Sequence, residues 1–210
     1  MRIFRLFLAF GLVVCGSATA QTVVVEPVTG AAAQAIPFTT ITQMQSVKGE
    51  GEVNFLKRVG QTMTAYSKEK HVEVCARVAE KSVDETADSG YTLYGAVITT
   101  NGSNVVCVEQ NVAPEGFALT AKTIHNHGYT RMFRVNNVDA EITQGQFLPG
   151  KLMGERVQNR FSPQDLKEAG YLATPDGLLF QDGLGFQTDY GAYDLRDGGA
   201  SGVRVALASR

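Results

Sequence analysis

Between residues 52 and 79 the apolar pattern changes period, and that change limits the folds open to this chain. Val53, Leu56, Val59, Met63 and Tyr66 fall three or four apart, which lines one face of a helix over 52–66. Lys68-Glu69-Lys70 follows, placing cations near the C-terminal end, where the helix dipole favours them. Over 71–79 the pattern becomes an alternation: Val72, Val74, Ala76 and Val78 against Glu73, Cys75 and Arg77. Period two with β-branched residues predicts a strand.

Strand patterns continue over 91–99 and 104–108, with Asn101-Gly102 between them as a hairpin signal, because that turn needs positive φ values. A further strand is expected over 117–124, ending at His125-Asn126-His127-Gly128. Residues 128–160 hold no sustained period and form a long excursion. A short helix is expected over 162–169, stopped by Gly170. Thr174-Pro175-Asp176-Gly177 is a turn signal that makes a hairpin of its flanks. The segment 182–202 is loaded with glycine and aspartate, and 203–207 offers a last strand. Helix, strands, helix, strands predicts an α/β (α+β) single domain with one mixed β-sheet flanked by helices.

The N-terminus bears on compartment. Arg2 and Arg5 precede an apolar run over 6–14, and Ala18-Thr19-Ala20 supplies the small-x-small pattern of a signal-peptidase site before Gln21. The run is too short for a bilayer core of roughly 30 Å, so no stable membrane anchor is expected. Lipidation at Cys15 would put the bulky Val14 where a small residue belongs, so simple cleavage is preferred. The expected organisation is a signal peptide at 1–20, an extended lead-in at 21–50 and one domain at 51–210, in a periplasmic or secreted protein. Cleavage removes two arginines and takes the formal charge from −2 to −4. An acidic chain without a basic run offers no footprint for nucleic acid. Cys75 and Cys107 remain after cleavage, and an oxidising compartment favours one disulfide between them over two buried thiols.

Two of the chain's 3 histidines are His125 and His127. On a strand, residues i and i+2 share a face, so both imidazoles can reach one ion. Zinc accepts imidazole nitrogen and carboxylate oxygen, and a catalytic site keeps a position open for water. The pair needs a third ligand, for which Asp165 is the best candidate. Each element also has a plain reading. His-Asn-His can be a polar strand end, and Ser162-Pro163-Gln164-Asp165 is a good helix start without any function. Glu80 and Glu109 are rival acids to Glu73, and His71 suits an ordinary element boundary. The aspartates at 182–197 lack the spacing of a calcium loop, and His-Asn-His is not the dispersed motif of an HNH nuclease.

The combination is more specific than its parts. Helix, then Glu73-Val74-Cys75-Ala76 (E-x-C-small), then His125-x-His127, then Ser162-x-x-Asp165 resembles the signature of the JAMM (MPN-plus, or JAB) metalloproteases over roughly residues 50–180. Phe161-Ser162-Pro163-Gln164-Asp165-Leu166 and Gly170-Tyr171-Leu172-Ala173-Thr174-Pro175-Asp176-Gly177 are similar to FSxxDL and GYLxTPxG segments of a bacterial branch found in secreted proteins and at the ends of repeat-containing toxins. The resemblance implies a JAB/MPN-like fold in which His125, His127 and Asp165 hold Zn²⁺. Glu73 would be the general base and then acid, and Ser162 the oxyanion donor. The implied activity is hydrolysis of amide bonds in a peptide, a protein or a peptidoglycan peptide by a metal-activated water. A non-catalytic envelope binding protein of the same fold is the alternative. The chain departs from the family at Ala76, where glycine is usual, and at Gly128, where proline is common. It also carries 34 residues, 128–161, where the family has a short connection. An excursion of that length in a compact domain points to a substrate-binding loop or lid, with a solvated loop as the plain alternative.

Overall fold

A computed structural model of the chain describes residues 20–21, 36–84, 90–128, 132–154, 158–193 and 203–206. The expected signal segment up to residue 19 and residues 22–35 of the lead-in lie outside these residues. In chain order the elements are β1 (Ala20–Gln21), β2 (Phe38–Gln45), α1 (Glu52–Lys70), β3 (Cys75–Val83), β4 (Tyr91–Thr100), β5 (Ala118–His125), β6 (Phe133–Arg134), α2 (Asn137–Ile142) and β7 (Leu152–Met153). A single 3-10 turn (Asp165–Lys167) leads into β8 (Gly170–Ala173), β9 (Leu178–Gln181), β10 (Phe186–Asp189) and β11 (Val203–Ala206). One 9-stranded sheet runs β1-β2-β4-β3-β5-β8-β9-β10-β11, and β6 pairs with β7 apart from it. The sheet is mixed: β5 and β8 run parallel, and the other neighbours are antiparallel. The chain is therefore a mixed α/β domain, mostly sheet, with two helices among the described residues. No described helix is long and apolar enough to cross a membrane.

The core lies where α1 crosses the sheet. Phe55, Leu56, Val59 and Met63 of the helix are fully buried against Val74, Val78, Ile98, Ile124 and Leu178. A Cβ on Gly60 would stand 2.9 Å from Tyr193 Cε1 and 3.2 Å from Ala173 Cβ, so the missing side chain lets α1 sit close to β8. The helix runs one turn further than its apolar stripe and stops where His71 adopts a left-handed conformation (φ 62°).

Several expectations are corrected here. The strand expected over 71–79 starts at Cys75: His71 caps the helix, and the backbone groups of Glu73 and Val74 bond to Ser103 and Asn126 outside the strand ladder. Glu73 consequently lies in the connection just ahead of β3. No strand forms over 104–108: both edges of β4 are taken, by β2 and by β3, so the segment has no ladder to join. Asn101-Gly102 still turns the chain, with Gly102 at φ +75°. Part of the expected lead-in, Phe38–Gln45, is instead a strand within the sheet. The helix over 162–169 shrinks to one 3-10 turn, since Gly170 already enters β8 and the Asp165 carbonyl accepts from Gln181 Nε2 at 2.6 Å. β10 arises in the glycine-rich tail, where the sequence shows no period.

The excursion is pinned rather than loose at one point. Asp139 of α2 is fully buried, and its carboxylate accepts from Ser103 Oγ (2.7 Å) and from the Asn104 (2.6 Å) and Asn136 (2.8 Å) backbone N–H groups. Ser103 in turn accepts the Glu73 N–H on its carbonyl at 2.9 Å. This network joins the excursion, the loop after β4 and the start of β3.

Candidate metal centre

The alternation of β5 determines how its end is used. Ile124 and Asn126 point into the protein, and His125 and His127 point to the other side. Asn126 is almost fully buried; its Oδ1 accepts from the Val74 N–H (2.9 Å) and its N–H donates to the Val74 carbonyl (3.1 Å). The middle residue of His-Asn-His thus holds the strand end against the start of β3 and leaves both imidazoles facing one cleft.

Asp165 arrives at the same place, 38 residues along the chain from His127. The parallel pairing of β5 with β8 brings Leu172 opposite His125, and Asp165 lies just ahead of β8. His127 Nε2 lies 3.2 Å from Asp165 Oδ2, and His125 Nε2 lies 3.4 Å from Asp165 Oδ1. One candidate ligand atom from each of the three residues lies within 4.8 Å of the others, so the group can hold a metal ion. The Ser162 N–H donates to Asp165 Oδ2 at 2.6 Å, and the Asp165 N–H donates to Ser162 Oγ at 3.3 Å. The reciprocal capping pattern of Ser-x-x-Asp is therefore formed, on a 3-10 turn.

The His125 contact is not a hydrogen bond: Nε2 is buried and has no hydrogen-bond partner among the described residues. The Asp165 carboxylate lies 3.4 Å from it, so this nitrogen is placed to serve as a metal ligand. Burial pushes the Asp165 carboxyl up, but the contacts from His125 and His127 and the Ser162 N–H overcome it and hold the group well below the usual carboxylate range. Asp165 is thus an anion at neutral pH, as ligation requires.

Glu73, His125, His127, Ser162 and Asp165 all line one cleft of about 770 Å³. The five residues named from sequence are brought together, although Glu73 comes from a connection rather than a strand. Glu73 is buried, and its carbonyl accepts from Thr100 Oγ1 at 2.7 Å. Cys75, paired with His125 across the ladder, forms the expected disulfide with Cys107 at a Cα separation of 5.8 Å. Cys107 sits in a loop rather than on a neighbouring strand. Of the rival acids, Glu109 stands on the cleft wall, whereas Glu80 and His71 are not among the lining residues.

Other contributors had no clear signal in the sequence. Phe133, Ile142, Phe147 and Met153 of the excursion line the cleft, with Val105 and Val106 from the loop after β4. They are scattered through segments without period, so only the folded chain assembles them. Compared with known proteins, the chain matches no family model, no curated protein and no solved structure.

Proposed function

We propose that the chain is an exported zinc-dependent peptidase or isopeptidase with a JAB/MPN-like fold. The observation that carries this reading is the convergence of His125, His127 and Asp165, with a buried imidazole nitrogen that makes no hydrogen bond, in one cleft with Glu73 and Ser162. Nitrogen and carboxylate donors are the set that zinc accepts in catalytic sites. Export is supported by the Cys75–Cys107 bridge, which persists in oxidising compartments.

A bound zinc ion supplies Lewis acidity, which makes water a nucleophile near neutral pH. The chain's own residues supply the remainder. The Glu73 carboxylate takes the proton of the attacking water and returns it to the amine nitrogen as the amide C–N bond breaks. Ser162 Oγ receives the Asp165 N–H and keeps its own hydroxyl proton to donate to the carbonyl oxygen as negative charge develops there. Asp165 serves as ligand while its own turn orients Ser162.

Hydrolysis of a quenched fluorescent peptide library by the purified protein tests the proposal. Activity is expected with zinc, to vanish with a chelator, and to return when zinc is restored. Stoichiometric bound zinc without hydrolysis of any amide substrate would favour the binding-protein reading instead.

A further inference from the structure

The cleft is lined by two unlike sets of residues. Thr123, His125, His127, Ser162 and Asp165 are the polar set that carries the candidate chemistry. Six apolar residues line the same cleft, Val105 and Val106, and Phe133, Ile142, Phe147 and Met153 from the excursion, with Thr143 and Gln146 among them. All six are partly buried and keep some exposed surface. The main core and the cluster of Phe161, Leu172 and Leu179 are built without them.

Their placement is held by the fold. β6 and β7 pair through Phe133↔Met153, which sets these two side chains next to each other across the ladder. Ile142 is the last residue of α2, whose buried Asp139 is bonded to the loop carrying Val105 and Val106. The backbone N–H groups of Val105 and Val106 both donate to Ser103 Oγ, at 3.1 and 3.2 Å. Two parts of the wall from distant stretches of sequence are thus fixed to the same serine and aspartate.

We infer that this wall is a specificity pocket for a bulky apolar side chain, aromatic or large aliphatic, beside the amide presented to His125, His127 and Asp165. The inference rests on the hydrolase reading of that centre and deepens it by naming the substrate class: an extended protein or peptide segment bearing a large hydrophobic residue. Peptidoglycan stem peptides, made of alanine and charged residues, leave such a pocket unfilled. Large side chains gain most from leaving water, and the surface that would receive them is already assembled.

The protein contains no tryptophan, so a tryptophan in a peptide reports its own burial. The probe is acetyl-Ala-Trp-Ala-amide, titrated with the zinc-loaded Glu73→Gln protein, which keeps the centre without turnover. Saturable binding with a blue-shifted emission is expected, with displacement by acetyl-Ala-Leu-Ala-amide and none by acetyl-Ala-Glu-Ala-amide. Phe147→Ala and Met153→Ala, both on the partly exposed wall, are each expected to weaken binding by roughly 10- to 100-fold. Equal competition by the glutamate peptide, an unshifted emission, or affinity unchanged in both variants overturns the pocket. Cleavage by the wild-type protein is scored separately. Wall-dependent binding without cleavage supports the pocket and defeats the hydrolase reading. Cleavage indifferent to the wall overturns the pocket and leaves the hydrolase reading in place.

Discussion

Glu73→Gln should lower hydrolysis by roughly 10²- to 10⁴-fold, the contribution of a positioned general base, with bound zinc unchanged. The substitution is nearly isosteric, and the backbone of residue 73 is held whichever side chain it carries, by the N–H to Ser103 and the carbonyl from Thr100. The fold therefore keeps its shape while the side chain loses the ability to take a proton. Glu73 is buried on the wall of the cleft that contains the histidines, so solvent water has poor access to replace it. Steady-state rates beside metal content separate this from a structural effect. Loss of metal together with activity would assign Glu73 to ligation or folding, and full activity would remove it from the mechanism.

Opening the Cys75–Cys107 bridge should cost about 3–4 kcal/mol of stability, the loop-closure entropy of a cross-link spanning 32 residues. For a chain of this size that corresponds to a fall in melting temperature of roughly 7–15 °C. The bridge ties the loop after β4, which also holds Ser103, Val105 and Val106, to the first residue of β3. Cys75 is in addition the ladder partner of His125, so loosening the bridge should weaken metal affinity along with stability. Thermal melts of the oxidised protein, the reduced protein and Cys107→Ser check this: the last two should melt alike and low. A melting temperature indifferent to reductant would mean that the bridge does not constrain the chain in solution.

The local patterns in the sequence were informative where one physical rule acted alone. The stripe on α1, the alternation through β4 and β5 and the hairpin of β8 and β9 need only periodicity and turn chemistry, and each formed. The expected elements failed where a tertiary constraint outweighed the local pattern. Residues 104–108 alternate well enough for a strand, but β4 has no free edge to offer them. Ser162 to Asp165 makes its capping bonds, yet only one turn of helix fits before Gly170 joins the sheet. The clustering of His125, His127 and Asp165 rests on patterns legible in the sequence. His-x-His on a strand end and Ser-x-x-Asp at a turn are local patterns, and their meeting is a consequence of β5 and β8 lying side by side. The apolar lining was not legible, because Phe133, Ile142, Phe147 and Met153 share no period and come to one cleft only in the folded chain.

Metal content of the purified protein bears most directly on the centre. After zinc loading and exhaustive dialysis, elemental analysis should find about one equivalent of zinc per chain, as one three-ligand site with an open position requires. His127→Ala and Asp165→Ala, each confirmed folded by circular dichroism, should lose that zinc. Wild-type protein that stays metal-free, or variants that keep full stoichiometry, would contradict a metal centre at His125, His127 and Asp165.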